Sequence, residues 1–350
     1  MKTQIFKRGA TLLLALIAAG AILSLRAQDA RKEYSENFQV RQGVTLTADT
    51  RYSDIEILTW DRNEVDIFAE VEVDAGSKNR AEAALDRVEI EIEQSGNTIY
   101  LETDLQDGWS RNVDTEIRIT VKSPAYLNLD MENSYGDLFI QQLDGLVLLE
   151  LKYSNLKAGN LSRGDEKPLS SLELAYSNCT IEEAGWLEME IAYTDVEILR
   201  SDRIFMESKY SKLIGEQFGG VETEGAYDKY YLDQVGYFSA ELKYSGIKFG
   251  ELGRRLTLEA AYTNVNIDQL SAGFDEVDAS LSYGNFNMGV EPGTSYKFQG
   301  EAKYGKVKVD RGDQLSRSQD GSYMKMWGSV GNNPRSTLQV VTRYGNIQIQ

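Results

Sequence analysis

The most regular feature of the sequence is a short pattern of polar and apolar residues that recurs along most of the chain. Each copy has a tyrosine, then usually Ser, Thr or Gly, then often Asn or Asp, then two apolar residues separated by one residue. Successive tyrosines from Tyr176 to Tyr244 are 17 residues apart, and later spacings are 18 and 21. The insertions fall between copies, which indicates a structural repeat. Its tyrosines are Tyr52, Tyr135, Tyr153, Tyr176, Tyr193, Tyr210, Tyr227, Tyr244, Tyr262, Tyr283, Tyr304 and Tyr344.

The copy at residues 172–181 shows which elements this pattern predicts. Leu172, Leu174 and Tyr176 alternate with polar or small neighbours, as in a half-buried strand. The following Ser-Asn pair breaks the alternation, and Cys179 and Ile181 resume it out of phase. Such residues accept the bent or left-handed backbone of a corner. The pattern predicts a strand, a corner and a second strand, with Cys179 as a small buried residue of the core.

The repeat length predicts how the copies associate. A unit of this length cannot contain a crossover helix, and it lacks the turn signals of a hairpin. Each copy must therefore pair with the next. The predicted fold is all-β: a parallel single-stranded β-solenoid, or β-helix, of ~17–21-residue coils over residues 126–350. An irregular loop at about 311–334 is predicted to interrupt it, and residues 338–349 to form the final coil.

Residues 40–125 fit the repeat only at 51–57. The rest alternates as ordinary strands, with one helical stretch at about 77–87 that follows Ser77 as the N-cap. We interpret this segment as an amino-terminal β-rich cap. Its short helix is expected to shield the first strand edge of the solenoid, because an open edge promotes aggregation.

Residues 1–27 have the pattern of a secretory signal peptide: basic residues, an apolar run over 11–25, and the small residue Ala27. The apolar run is shorter than the ~20 residues of a membrane-spanning helix, which makes a membrane anchor the less favoured alternative. The pattern predicts an exported chain without stable membrane insertion after cleavage. We expect it in the periplasm, or associated with the outer membrane or cell surface, of a Gram-negative bacterium.

The amino-acid composition excludes several classes of catalytic and metal site. The chain has no histidine and one cysteine, which excludes histidine-dependent triads, His-ligated metal sites and an internal disulfide. Without residues 1–27 it carries 33 positive and 55 negative residues, a net charge of −22. A polyanion of this kind is not expected to bind nucleic acid.

Three segments resemble a known family: Trp60–Val65, the helical stretch that runs into Leu85–Ile90, and Arg343–Ile349. Together they resemble the adhesin-like domain-of-unknown-function family of exported bacterial β-solenoids, related to autotransporter adhesin head domains. The resemblance covers nearly all of residues 40–350. It implies an exported bacterial β-solenoid with an adhesin-like role, and it supplies no catalytic motif.

A column of acidic residues is the first candidate site. The residue three before each repeat tyrosine is acidic in nine of ten consecutive copies from Tyr135, and parity places it on the outer surface. It is either a solvated face or a surface that binds a divalent cation or a basic partner, calcium being the one cofactor considered. Lysines one residue before the tyrosine, such as Lys152, Lys209, Lys243 and Lys303, are expected to neutralise part of it. The residues are Glu132, Glu150, Glu173, Glu190, Glu207, Glu224, Glu241, Glu259 and Glu301.

The tyrosines are the second candidate. We expect them to face inward at the corners, as a structural ladder of stacked rings from Tyr135 to Tyr344. The alternative is an exposed aromatic platform for sugar rings. Exposure of the rings decides between the two.

These observations favour an exported, non-enzymatic, adhesin-like binding or scaffold protein of the cell envelope, with an unidentified protein or glycan ligand. The alternative is a carbohydrate-active β-helix protein, either a glycan binder or a polysaccharide hydrolase or lyase. Asp165 and Glu166 are the one local acidic pair in an inserted loop.

Overall fold

The computed structural model describes residues 29–106, 108–109, 113–310 and 314–350. The described chain forms 26 β-strands in one sheet, and α1 (Lys78–Leu85) is its one α-helix. The predicted all-β class is confirmed, and most strand pairs are parallel. The predicted signal peptide at residues 1–27 lies outside the described residues.

The middle of the chain is a stack of parallel coils, a coil being the segment from one repeat tyrosine to the next. Cys179 pairs with Val196 and Glu190 with Glu207, one repeat apart. Because each position recurs in the next coil, equivalent residues form straight columns. The strands are β8 (Asn128–Ser134), β9 (Leu138–Leu143), β10 (Val147–Lys152), β11 (Asn155–Leu161), β12 (Ser170–Ala175), β13 (Asn178–Ala192), β14 (Asp195–Lys209), β15 (Lys212–Ala226), β16 (Lys229–Lys243), β17 (Gly246–Ala261), β18 (Asn264–Leu270), β19 (Glu276–Ser282) and β20 (Phe286–Val290).

The core lies inside this stack. Apolar residues on both sides of each corner point inward, and the polar residues between them face outward. Cys179 is buried between Leu156 and Val196 of the adjacent coils, as predicted. Burial raises the pKa of its thiol to about 12, so the thiol stays protonated at neutral pH.

The amino-terminal end continues the same stack, but not in chain order. β2 lies between β6 and β8, and β3 lies between β7 and β9, all in parallel. The outer edges of β6 and β7 are covered by antiparallel β5 and β4, and β1 pairs with β4. The strands are β1 (Asp29–Gln39), β2 (Thr45–Arg51), β3 (Ser53–Thr59), β4 (Glu64–Asp74), β5 (Val88–Ser95), β6 (Thr98–Leu105) and β7 (Asp114–Ser123).

The helix of this end does not have the predicted role. α1 contacts β1 and β4, and buries Ala81 and Leu85. Ser77 occupies the N-cap position, but its side chain makes no capping hydrogen bond. Strands and not the helix cover the edge, because only another strand can satisfy a row of backbone N–H and C=O groups.

The carboxy-terminal end is also interleaved, which corrects two predictions. β25 lies between β19 and β21, and β26 lies between β20 and β22. The final coil of the sequence is therefore the second to last coil of the stack. The predicted loop at 311–334 contains an antiparallel hairpin, β23 and β24, that covers β21. The strands are β21 (Tyr296–Lys303), β22 (Val307–Val309), β23 (Ser316–Asp320), β24 (Tyr323–Val330), β25 (Ser336–Arg343) and β26 (Ile347–Ile349).

Within the described part of the chain, α1 falls far short of the length and apolar character of a membrane-crossing helix, and no other helix is present there.

Candidate functional site

The corner of every coil is a tyrosine in the left-handed backbone region. All twelve repeat tyrosines have φ between 52° and 65°. This conformation costs an L-residue about 1–2 kcal/mol relative to the right-handed one, and glycine avoids the cost. The backbone N–H of each tyrosine still donates along the stack, for example from Tyr176 to the carbonyl of Ala192 at 3.0 Å. The left-handed turn therefore reverses the side-chain direction without breaking the pairing between coils.

The tyrosine rings form one stacked column on the outside of the molecule. Neighbouring rings are nearly parallel, with interplanar angles of 1° to 10° and centroids 4.7–5.1 Å apart. From Tyr135 onward they are 40% to 52% exposed. The column also includes Tyr52, and Trp109 contacts that ring at 4.8 Å. Tyr344 lies between Tyr283 and Tyr304, as the interleaved end requires.

The prediction that these rings face inward is wrong. At a left-handed residue the side chain points away from the core, and the next residue takes the inward position. Stacking is worth ~0.5–1.5 kcal/mol per aromatic pair, less when the rings are half in water. This gain is about equal to the backbone cost, so the column adds little net stability.

Sequence analysis missed a buried polar column directly after the tyrosines. Ser177 donates its N–H to Oγ1 of Thr194 at 3.4 Å, and Thr194 donates its N–H to Oγ of Ser211 at 3.2 Å. Each hydroxyl donates to a carbonyl two residues earlier, such as Thr194 to Ala192 at 2.9 Å. The Ser and Thr residues are part of the repeat, but their tendency to form corners was enough to explain them, so no further role was predicted. Their burial shows that they also satisfy the backbone of the neighbouring coil.

Asp228 is the exception in this column. Its Oδ1 accepts the N–H of Ser211 at 2.8 Å and its Oδ2 accepts the hydroxyl of Ser208 at 3.0 Å. Burial raises the pKa of the Asp228 carboxyl, and these hydrogen bonds oppose the rise only in part. The hydroxyl of buried Tyr230 contacts Ser208 and Thr223, and burial raises its pKa to about 12.

The structure brings eight of the nine predicted glutamates into one column, from Glu132 to Glu259. Glu301 is separated from it, because Ser280 pairs with Val341 and Val341 with Glu301. At the other end the column is longer than predicted. Asp49 pairs with Glu132 and Glu102 pairs with Asp49, so ten carboxylates stand in register.

Most carboxylates of this column have no ion-pair partner in the described chain. Lys152 pairs with Glu150, and this hydrogen bond is the largest cause that raises the Lys152 pKa. The expected neutralisation by Lys209, Lys243 and Lys303 is not seen. Two unit charges ~4.8 Å apart repel by about 0.9 kcal/mol in water.

Some carboxylates elsewhere on the molecule are paired between coils. Glu183 accepts two hydrogen bonds from Arg200, and Asp195 pairs with Lys212 at 2.5 Å. Glu301, outside the column, is bound by Lys325 and Tyr323, whose hydrogen bonds lower its pKa. The column differs from these pairs in that ten carboxylates stand in register with a single ion pair among them.

A groove runs beside the glutamate column, over the residues that separate it from the tyrosine column, and tyrosines line only its first stretch. Its first stretch, of about 770 Å³, is lined by Glu132, Glu150, Tyr52, Tyr135 and Trp109, among others. Two further stretches continue it over the next coils and share lining residues with their neighbours. The floor is made by the residue before each tyrosine, which is small in six coils and basic in four, at Arg51, Lys152, Lys209 and Lys243. The small floor residues are Ser134, Ala175, Ala192, Ala226, Ala261 and Ser282.

The site has no preformed metal centre in the part of the chain that the structure describes, since no three carboxylates or thiols there converge in a way that could hold an ion. The acidic pair in the inserted loop is not isolated either, because Arg163 contacts Glu166 at 3.3 Å.

No family model and no curated protein matches the chain. The chain is similar to a solved structure described as a "putative adhesin" from Parabacteroides merdae, with 10% identity and a TM-score of 0.38, covering 91% of this chain and 96% of that one. A "putative adhesin" from Parabacteroides distasonis has 10% identity and a TM-score of 0.32, over 91% and 97%. A "putative cell adhesion protein" from Clostridium sporogenes has 10% identity and a TM-score of 0.18, over 91% and 99%. Scores and identities this low support no conclusion about fold or function.

Proposed function

We propose that the protein is an exported, non-enzymatic, adhesin-like binding or scaffold protein of the bacterial cell envelope, and that its stacked coils form a parallel β-solenoid. Its place would be the periplasm, the outer membrane or the cell surface of a Gram-negative bacterium. The tyrosine column supports this proposal most. About half of each ring is exposed along the stack. The stacking energy only offsets the free-energy cost of the left-handed backbone, so stability alone does not explain the column, whereas selection for contact with a ligand would.

A binding screen tests the proposal. The purified protein is applied to arrays of glycans and of envelope proteins, at low and high calcium, and the supernatant is analysed for released products. Binding without product formation is the expected result. Release of shortened glycan chains would overturn the non-enzymatic role.

A carbohydrate-active protein is the second candidate, favoured by the half-exposed rings. Sugars stack on the faces of aromatic side chains, however, and here the rings are too close together to admit a sugar between them. A glycan would have to lie across the ring edges. Replacing Tyr193, Tyr210 and Tyr227 by Ala should then abolish binding on the glycan array.

Calcium binding by the glutamate column is a separate proposal, supported by ten carboxylates in register. We expect calcium to raise the melting temperature, because it would relieve the repulsion between coils. The substitutions Glu190→Gln, Glu207→Gln and Glu224→Gln should remove that rise. An unchanged melting curve of the wild-type protein in calcium would exclude this role.

A further inference from the structure

We propose that the groove between the glutamate and tyrosine columns binds an extended polypeptide rich in lysine and arginine. This inference rests on the proposed binding function and names the class of partner that this surface fits.

The first support is the identity of the corner residue. The corner requires a left-handed backbone, which glycine or asparagine adopts at lower cost. If ring stacking were the only benefit, phenylalanine would serve equally well. The chain has 11 phenylalanines, yet all twelve corners are tyrosine. The choice therefore favours the hydroxyl group, which suits a ring that is half in water and can also hydrogen-bond a ligand.

The second support is the continuity of the groove. Its first and second stretches share Glu150 and Lys152, and its second and third share Glu224 and Ala226. It is therefore one channel along the stack axis, from Glu102 to Ser282. The eleven stacked strands along it span ~48 Å, which an extended chain of about 14 residues would cover at ~3.3 Å per residue. A linear ligand fits this shape, whereas a compact one would use only a small part of it.

The third support is charge complementarity. One side of the groove is the glutamate column, of which only Glu150 forms an ion pair among the described residues. Its ten carboxylates outnumber the four basic residues of the floor, so the groove has a net negative charge. Neighbouring carboxylates lie within one Debye length of each other, so a ligand with several positive charges would relieve repulsion at several coils at once. A neutral glycan would leave this repulsion in place.

The lining of the groove suits lysine and arginine side chains. Their ammonium or guanidinium groups would meet the carboxylates, while their apolar stems would lie on small floor residues such as Ala175 and Ala192. The neighbouring tyrosine column, which lines the first stretch at Tyr52 and Tyr135, would offer hydroxyls such as that of Tyr193 to the peptide backbone.

Fluorescence anisotropy tests the proposal with a labelled peptide of about 14 residues that alternates lysine and serine, a length set by the ~48 Å of groove. We expect saturable binding that weakens about tenfold or more between ~50 and ~200 mM NaCl. Glu190→Gln, Glu207→Gln and Glu224→Gln together should weaken it at least about tenfold. Tyr193→Phe, Tyr210→Phe and Tyr227→Phe keep the stacked rings, and should weaken it about threefold or more through the lost hydroxyls.

The matched control removes the same charge elsewhere on the same coils: Glu182→Gln, Glu197→Gln and Glu216→Gln, all exposed and outside the groove. It should change affinity less than about twofold. Equal losses in the two glutamate triples would mean attraction to net charge alone and would overturn the groove as the site. Glycan binding without peptide binding would overturn this inference and leave the proposed binding function intact, whereas product release would overturn the proposed function itself.

Discussion

The middle and the ends of this molecule solve the same packing problem in different ways. In the middle, each coil stacks on the next coil of the sequence, and both partners of every strand are close along the chain. At each end, a coil is inserted between two others that follow each other in the sequence. Antiparallel strands then cover the outermost coils. A repeat can extend a stack indefinitely, but only an exception to the repeat can terminate it.

The middle and the carboxy-terminal end also differ in the residue that follows the corner tyrosine. In the middle, the residue after the tyrosine is mostly Ser or Thr, whose hydroxyl accepts a hydrogen bond from a backbone N–H of the adjacent coil. In the last three coils of the stack it is Gly284, Gly345 and Gly305. A Cβ atom at Gly345 would lie 1.8 Å from the carbonyl oxygen of Gly284. A side chain at Gly345 would clash with the neighbouring coil, and Thr342 instead donates its hydroxyl to the carbonyl of Gly284 at 3.2 Å.

The largest effect is expected from removing the interleaved coil. Ending the chain after Pro334 deletes β25 and β26 and leaves β19 and β21 without the strand between them. We expect a loss of roughly 5 kcal/mol or more, comparable with the whole stability of a domain. Limited proteolysis should then cut within residues 276–310 and spare residues 178–243. A truncated chain as resistant as the wild type would show that the ends do not depend on this insertion.

The buried hydroxyl column of the middle should be next in size. Thr194→Val keeps the shape of the side chain, but leaves the N–H of Ser177 without an acceptor. The expected loss is about 1–3 kcal/mol in urea denaturation. Thr257→Val, on an exposed strand position, is the control and should stay within about 0.5 kcal/mol of wild type. Similar losses in both variants would contradict the role of the column.

Substitutions at the corner separate backbone from ring effects. Tyr193→Val and Tyr193→Gly both lose the stacking contacts with Tyr176 and Tyr210, but only valine keeps the left-handed strain. We expect the valine variant to be about 1–2 kcal/mol less stable than the glycine variant. At Tyr304, which stacks on Tyr344 alone, Tyr304→Gly should cost less than Tyr193→Gly does. Equal stability of the two Tyr193 variants would argue against backbone strain at the corner.

The smallest effect concerns Asp228, which interrupts the hydroxyl column of the middle. Because its pKa is raised in the folded state, its contribution to stability is full below the unfolded pKa and is lost as pH rises through the folded pKa. Asp228→Ser restores a hydroxyl. It should gain roughly 1 kcal/mol or less over wild type at pH 7, and less than that at pH 4. Asp233→Ser, an exposed change of equal charge, should not alter the pH dependence.

The sequence predicted the middle of the molecule well and its ends poorly, for one physical reason. A fixed spacing of 17 residues between Tyr176 and Tyr244 determines which residues pair, so the columns followed directly. At the ends, pairing joins strands that are far apart in the sequence, such as those before Tyr304 and Tyr344. The spacing of the repeats does not indicate which coil lies outermost. The hairpin of β23 and β24 was missed because all five residues of β23 are exposed and polar, as in a loop.

The candidate site was predicted in part. Alternation placed the glutamates outside correctly, since parity within a strand is unambiguous. It failed at the tyrosines, because a left-handed residue reverses side-chain direction, and φ cannot be inferred from a pattern of apolar positions. The groove also escaped prediction, since it depends on small floor residues such as Ala192 and Ala226, which carry no signal on their own.

The interleaved carboxy-terminal end has a consequence for the order of assembly. β21 and β22 precede β25 and β26 in the chain, yet they rest on them. During synthesis, which begins at the amino terminus, the coil of β21 and β22 is made before the strands on which it packs. Its parallel pairing therefore cannot form until β25 and β26 have been made. When β25 and β26 fold into place, they pair with the coils on both sides in one step. The stack can therefore grow coil by coil through its middle, and the late insertion of β25 and β26 completes its carboxy-terminal end.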